Sequence, residues 1–585
     1  MHRFLGVFDL LLSSFAPRKH VPFAERKATI GQQFLERFFF VFALTFQCVS
    51  VTRARFMMRL LIPLLLITSA CSAFAAERPN ILFIYADDWG WGDLACHGHL
   101  ELKTPHLDQL AREGSDFHQF TVCNPVCSPS RVAIVTGHFP ARYSIHQHFA
   151  SHQQNVERGM PDWLDTSAPL LPRMFKEAGY RTAHYGKWHL TGGGIDDAPH
   201  PRQYGYDDSA VYVGPGRHVF DGMSMEKLVR DAAAHDEVAA CYLTTAATEN
   251  ALRFIRECKD APFFVNLWLH ETHHLVSATE EDKRAYPDTP EPQRTYYSAV
   301  TRADGQIGRV LLLLEELGKS DSTIVIFSSD NGPEITHPER NQKFYYSVGS
   351  TGGLRGRKRS LYLGGVGTPF IVRWPGKVPA GRVDRSSPIA GVDMLPTLLA
   401  VAGIPLPKGY VPDGENILPL LRGESQTRSK PIFWEWQGNH TQAANWPIFG
   451  MRDGPWTLLV DESGARRELY QVLSDREQQH NLAGQRGDRA SSMLAAIRQW
   501  KATLPKSPSQ HARSRIASQQ PRQNPARPTP NRARAFQRWD RNTDGVLTLE
   551  EYTAGLANKA RAELRFKNFD TNGDGKLTRE EFIKP

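Results

Sequence analysis

The stretch Cys127-Ser128-Pro129-Ser130-Arg131 places a thiol at a proline-containing turn, directly ahead of Val132 to Thr136, which reads as a helix. Helix N-termini carry unpaired N–H groups and a positive partial charge, so they hold anions and favour a thiolate. Arg131, one helical turn on, points back toward the same spot and suits an oxyanion bidentately. These residues describe a modified or nucleophilic cysteine beside an anion pocket. They equally describe a buried cysteine at a turn, because a free cysteine commonly behaves as a small hydrophobe.

Two acidic pairs supply a second kind of chemistry. The apolar run Ile81 to Ala86 ends in Asp87-Asp88, and Thr323 to Phe327 is followed by Asp330-Asn331 after two serines. Short continuous apolar runs read as buried parallel strands, and open parallel sheets bind ligands just beyond the carboxyl ends of their strands. If the two strands are neighbours, three carboxylates and an amide converge, a hard oxygen set that suits Ca²⁺ and then Mg²⁺. Either pair alone also fits a solvated turn. Cations gather at further strand ends. Tyr180 to Tyr185 reads as a strand and leads into Gly186-Lys187-Trp188-His189, where alternation puts Lys187 and His189 on one face. The buried run Pro262 to Leu269 ends in His270-Glu271-Thr272-His273-His274, whose spacing is poor for zinc without further ligands. The glycine-rich, cation-dense loop Gly349 to Arg359 reads as an anion-binding segment or as a solvated basic loop.

The string Cys-x-Pro-Ser-Arg-x4-Thr-Gly, Cys127 to Gly137 here, resembles the signature of the type I sulfatases. These are the formylglycine-dependent arylsulfatase and N-acetylgalactosamine-6-sulfatase-like members of the alkaline-phosphatase superfamily. The likeness runs from about Arg78 to Ala483. It implies oxidation of Cys127 to formylglycine by a maturation enzyme, with the hydrated aldehyde as nucleophile. Asp87, Asp88, Asp330, Asn331 and the modified Cys127 become the ligands of one catalytic Ca²⁺. Arg131 polarises the nucleophile, Lys187 and His189 hold the sulfate, and Lys358 contacts the ester. His273 helps the nucleophile turn over, with His270 and His274 as weaker candidates. The chain departs from the family in having Glu271-Thr272 ahead of His273 and Leu275 after it, and Leu363 and Gly367 where a Glu and an Arg are usual. The implied activity is hydrolysis of sulfuric esters of aryl or carbohydrate alcohols. Hydrolysis of phosphonates or phosphodiesters by the same machinery is the alternative within enzymes. A catalytically silent, calcium-binding relative is the alternative outside them.

The tail carries a second motif. Asp540, Asn542, Asp544, Val546 and Glu551 fit an EF-hand loop, and Asp570, Asn572, Asp574, Lys576 and Glu581 repeat it, each with glycine at the sixth position. Up to two further Ca²⁺ ions are expected there. The second hand reads as lacking its exit helix, the sequence stopping at Pro585, which favours a compact structural or docking pair over a sensor that opens a groove.

The expected architecture is α/β. A central mixed, mainly parallel sheet with flanking helices, as in the alkaline-phosphatase fold, spans 77–400. A smaller α+β subdomain spans 401–504, a basic Pro/Arg-rich linker 505–533, and an all-α EF-hand pair 534–585. The chain has 585 residues, 41% hydrophobic and 23% charged, which is ordinary globular composition. Much of the net charge of +8 lies in the linker, since Lys501 to Trp539 holds no Asp or Glu, so no nucleic-acid partner is expected. Seven cysteines without regular spacing argue against a disulfide scaffold. Within the extension 1–76, Arg59, the apolar run Leu60 to Ala70 and Ala73-Phe74-Ala75 read as a signal peptide over about 57–75, with translation starting at Met57 or Met58. Export to a periplasmic, extracellular or surface location follows.

Overall fold

The computed structural model describes residues 78–193, 195–212, 218–220, 239–273, 276–334, 347–438, 446–516, 532–556 and 562–583. The signal-peptide reading and His274 lie outside them. The catalytic region contributes strands β1 (Asn80–Ala86), β2 (Ser115–Phe117), β3 (Phe120–Thr121), β4 (Arg181–Lys187), β5 (Asp208–Tyr212), β6 (His218–Phe220), β7 (Phe263–Trp268), β8 (Thr323–Ser329), β9 (Phe370–Arg373), β10 (Arg382–Asp384) and β11 (Ile389–Ala390). Nine of them form one sheet in the order β10-β2-β9-β8-β1-β7-β4-β5-β6. The central run β8-β1-β7-β4-β5 is parallel, and antiparallel pairings of β9 and β6 flank it.

Strand β1 is buried along its whole length, which explains its uninterrupted apolar sequence. Alternate residues serve two cores. Ile81, Phe83 and Tyr85 pack with α2 (Cys127–Thr136), α3 (Leu171–Glu177) and α6 (Met394–Val401). Leu82, Ile84 and Ala86 pack with α1 (Pro105–Glu113), α4 (Ala239–Glu257) and α5 (Gln293–Glu316). The result is a helix–sheet–helix sandwich. The second expected region is a four-stranded antiparallel sheet, β12 (Ile432–Glu435), β13 (Phe449–Asp453), β14 (Trp456–Val460) and β15 (Arg467–Gln471), packed with α7 (Gly487–Ala502). Its apolar residues belong to the same core as α2, and the Trp434 indole N–H donates to the Val122 carbonyl at 2.7 Å.

Composition marked everything from 505 to 533 as linker, but the first part of that stretch is docked. Asp162 N–H donates to Ala512 O at 2.8 Å, Ser514 N–H to the Asp162 carboxylate at 2.9 Å, and Arg515 N–H to the Asp197 carboxylate at 2.8 Å. Ala512 packs with Trp163 and Ile195. Residues 517–531 lie outside the described set.

The EF-hand pair consists of α8 (Arg532–Trp539), β16 (Val546–Thr548), α9 (Leu549–Gly555), α10 (Ala562–Phe569), β17 (Lys576–Thr578) and α11 (Arg579–Ile583). The two loops pair antiparallel, Leu547 opposite Leu577, over a small core of Phe536, Tyr552, Phe566 and Phe582. The second hand therefore has an exit helix, though a short one.

Gly186 in β4 shows how tightly the sheet fixes the residue that follows it. Its φ is +99°, and a Cβ there would lie 1.9 Å from the Trp268 carbonyl oxygen. Strain and clash together make Gly186→Ala cost about 2–4 kcal/mol. Thermal unfolding should show a clearly lowered midpoint, and a wild-type midpoint would contradict this packing.

Candidate active site

The acidic pairs meet because their strands are neighbours. β1 and β8 run parallel in register, with Ala86 opposite Ser329, so Asp87-Asp88 and Asp330-Asn331 emerge side by side. Carboxylate oxygens of Asp87, Asp88 and Asp330 lie within 4.8 Å of one another, and all three residues are fully buried. The chain turns sharply to make this possible, with Asp88 at φ +65°. The Asn331 amide donates to Asp88 at 2.6 Å, and Asp88 N–H donates to Asp330 at 3.2 Å.

Three buried cations answer the three carboxylates. Arg131 reaches back from the first turn of α2, and its Nε and Nη2 donate to Asp330 Oδ2 at 3.0 and 2.6 Å. It also donates to the Lys187 carbonyl at 3.3 Å and lies over the Trp268 ring at 4.9 Å. Lys187, the last residue of β4, donates to Asp87, and Lys358 donates to Asp88 at 2.6 Å. Lys358 is also 3.6 Å from Glu334, which in turn pairs with Arg359. Burial pushes the Asp88 carboxyl up to about 7, while Lys358 opposes that rise. The Asp88 carboxylate and Glu334 hold the Lys358 ammonium well above its usual range against the effect of burial.

Two oxygens in this cluster have no hydrogen-bond partner. Asp87 Oδ1 and Asn331 Oδ1 are both buried and unsatisfied. An orphaned buried acceptor is costly, and two of them beside three carboxylates fit a hard divalent cation bound through oxygen. The residues present therefore suit Ca²⁺, and Asp87, Asp88, Asp330 and Asn331 would hold it.

Cys127 opens α2, with the extended Val126 as its N-cap, and is 3% exposed. Its Sγ is 3.1 Å from His189 Nδ1. Nε2 of the same ring is 3.0 Å from the Phe149 carbonyl, which can only accept, so Nε2 carries the proton and Nδ1 accepts from position 127. Burial and the Lys187 charge hold His189 down to about 3, so the ring is neutral. Burial raises the Cys127 thiol, against the lowering effect of Lys187 and Lys358.

The histidine segment lies beside Asp87. His270 Nδ1 is 3.3 Å from Asp87 Oδ2, and donor atoms of Asp87, His270 and His273 lie within 4.8 Å of one another. Both described histidines thus belong to the site, but the histidine touching position 127 is His189. β4 ends at Lys187 and the chain turns at His189, φ +50°; Lys187 reaches Asp87 and His189 reaches Cys127, so the two meet in one pocket as the strand-end reading expected. Arg131 also differs from expectation, because its guanidinium grips Asp330 instead of projecting into an anion site.

Sequence reasoning missed Glu334 and Asp93. The Asp93 carboxylate accepts from Gly90 N–H and Ser350 N–H, each at 2.7 Å, and from the Tyr296 hydroxyl at 2.9 Å. It thereby ties the loop behind Asp88 to the glycine-rich loop that leads to Lys358. The two loops are so close that a Cβ on Gly90 would lie 2.0 Å from Ser350 O. A usable signal was the glycine content of both loops, which marks a close backbone approach.

Comparison with known proteins agrees with this constellation. The Sulfatase family profile matches residues 79–404, and that of the N-sulphoglucosamine sulphohydrolase C-terminal region matches 356–500. An EF-hand profile matches 563–584. The N-acetylgalactosamine-6-sulfatase of Canis lupus familiaris is 34% identical over 422 residues, covering 68% of this chain and 77% of that protein. The steryl-sulfatase of Mus musculus is 30% identical over 446 residues, covering 64% and 69%. The solved structure of Ps i-CgsB in complex with k-i-k-neocarrahexaose superposes with a TM-score of 0.61 at 25% identity, covering 72% of this chain and 92% of that one. The alkaline-phosphatase-like architecture expected from the motifs is thus the observed one. With the profile spanning more than half of the residues and its motif side chains gathered in one strand-end pocket, this chain is a member of the sulfatase family.

Proposed function

We propose that this sulfatase cleaves sulfate esters of glycans outside the cytoplasm, using a formylglycine made from Cys127 and one Ca²⁺ held by Asp87, Asp88, Asp330 and Asn331. The observation that carries the reading is the contact of position 127 with His189 at the edge of a carboxylate cluster that retains two orphaned oxygens. The glycan preference draws on relatives that act on N-acetylgalactosamine 6-sulfate and on a neighbour solved with a neocarrahexaose. Export draws on the apolar run near Leu60 and its small-residue cleavage pattern.

Ca²⁺, when bound, lowers the cost of developing negative charge on oxygen. The protein residues do the rest. Three carboxylates face three cations, so the buried set is close to neutral, and a divalent ion leaves it positive. A sulfate monoester carries one negative charge and enters with a favourable field. Lys187 and Lys358, at the rim of the carboxylate cluster, are placed to donate to sulfate oxygens. One hydroxyl of the hydrated aldehyde at position 127 attacks sulfur, forming an O–S bond as the ester O–S bond breaks, and its proton passes to His189 Nδ1, the acceptor facing position 127. The alcohol leaves with a proton, which Lys358 is placed to supply. The imidazolium returns its proton to the Lys358 amine through water, and His189 Nδ1 then takes the proton of the second hydroxyl and releases it to solvent. The carbon–oxygen bond to sulfate breaks, sulfate leaves, and water re-hydrates the restored aldehyde. His273, which the resemblance implied for this proton, lies beside His270 and Asp87 instead. The EF-hand loops are read as two further Ca²⁺ sites with no step in the reaction. In each, the position-1 aspartate accepts from loop amides, as Asp540 does from Gly545 N–H at 3.0 Å.

Initial-rate assays on a 6-sulfated galactosamine oligosaccharide and on an aryl phosphodiester test the substrate class. The sulfate ester should be preferred by kcat/KM, and preference for the diester would contradict it. Chelation should abolish turnover and Ca²⁺ restore it. Lys358→Ala should lower kcat by roughly 10²–10⁴-fold, as expected for a lost proton donor and charge contact. A wild-type kcat would remove Lys358 from the reaction.

The state of His189 sets a pH prediction. A ring held down to about 3 stays neutral throughout the usual assay range, so it remains a base as the pH falls through 6. The acid limb of kcat/KM should therefore show no inflection at the ordinary histidine value. An inflection between pH 6 and 7 that disappears in His189→Gln would contradict this.

A further inference from the structure

A second set of metal-type donors sits behind the loop that carries Asp87-Asp88, among residues to which the reaction assigns nothing. Cys96 and His97 lie in the short turn Ala95–His97, Asp116 in β2, and His118 just beyond β2. Donor atoms of Cys96, His97 and Asp116 all lie within 4.8 Å of one another. The His97 ring is fully buried and stacked on Trp91 at 4.2 Å. Its Nδ1 is 2.6 Å from the Trp91 carbonyl, so Nδ1 is the donor, and Nε2 is left facing Asp116 Oδ2 at 2.9 Å. His118 Nε2 approaches the same oxygen at 3.2 Å. The other oxygen, Asp116 Oδ1, is buried without a hydrogen-bond partner on a residue that is 4% exposed.

A neutral imidazole lone pair aimed at a carboxylate oxygen repels it. His118 avoids this by donating from Nε2, but His97, whose Nδ1 holds the proton, needs a positive charge at its contact with Asp116, either a second proton or a shared cation. We propose that Cys96, His97 and Asp116 form a binding site for a divalent transition cation, with His118 orienting the Asp116 carboxylate and Zn²⁺ the best match. A thiol and an imidazole select a borderline ion over Ca²⁺ or Mg²⁺. The His97–Asp116 separation of 2.9 Å is close to the edge of about 3.3 Å that a tetrahedron with Zn–N and Zn–O bonds near 2.0 Å requires. The orienting hydrogen bond from His97 Nδ1–H to a backbone carbonyl is the usual partner of a metal-bound histidine. Burial and the nearby Asp108 and Asp116 carboxylates keep the Cys96 thiol protonated in the metal-free chain. Metal binding therefore displaces that proton to solution.

The site would act by position. Trp91 follows Asp88 by three residues, and the Arg476 guanidinium lies 3.7 Å from the centre of its ring. Arg476 also donates to the His118 carbonyl at 3.3 Å. A cation bound here pins the loop behind the catalytic acids to β2, the neighbour of the edge strand β10, and to the segment after β15. The inference rests on these contacts and not on the proposed reaction.

Cobalt titration of the full-length, chelator-stripped protein in saturating Ca²⁺ tests it. The chain carries Cys127→Ser so that no thiolate signal can arise at the catalytic pocket. One equivalent of Co²⁺ should give a near-ultraviolet thiolate charge-transfer band with strong tetrahedral d–d absorption, and Zn²⁺ should displace it. Adding Cys96→Ser should abolish the charge-transfer band, and His118→Asn should weaken binding about tenfold or more. Absence of the band, or its persistence in Cys96→Ser, overturns the proposal and leaves a protonated His–Asp–His cluster. Alkylation of the unsubstituted chain reads the same question without a Cys96 variant. Zn²⁺ should protect Cys96 from iodoacetamide, and equal labelling with and without Zn²⁺ overturns the site.

Discussion

Six full charges are buried together at one end of the sheet. Asp87, Asp88, Asp330, Arg131, Lys187 and Lys358 are each no more than 3% exposed. Removing an ion from water costs several kcal/mol even after relaxation, so no member of the set is stable there without the others. They arrive from the ends of β1, β8 and β4, from the first turn of α2, and from the loop before β9. The strand order β8-β1-β7-β4 brings those ends together, and α2 must lie across them for Arg131 to reach Asp330. Much of the fold can be understood as the means of making that neutralisation possible.

Balanced charge also defines the pocket. Lys187 and Lys358 serve as counter-ions to Asp87 and Asp88. Cys127 lies inside this field, where burial raises its thiol and the neutral His189 ring faces it as an acceptor.

The central strands and their acidic ends were legible in the sequence because strands buried on both faces carry no alternation to obscure them, as Ile81 to Ala86 and Thr323 to Phe327 show. The convergence of two such ends followed once the strands proved to be neighbours. Individual contacts set by backbone direction were not legible. Lys187 and His189 share the pocket, but the turn at His189, with its positive φ, is what brings that ring to Cys127. Helix α5 was hidden by Asp304, Gly305 and Gly308. Asp304 is there to accept from His106 and Leu107 N–H at the start of α1, and Gly308 makes room for the His106 ring. The docked stretch around Ala512 looked like linker because its own backbone makes many of its bonds, to Asp162 and Asp197, and side-chain composition carries no trace of them.

The account turns on what occupies position 127. A mass spectrum of the Cys127 peptide, from active protein made with a formylglycine-generating enzyme, tests it most directly. The account predicts an aldehyde or its hydrate in place of the thiol. An intact thiol in protein that hydrolyses sulfate esters would contradict it, because turnover would then not run through an aldehyde hydrate at position 127.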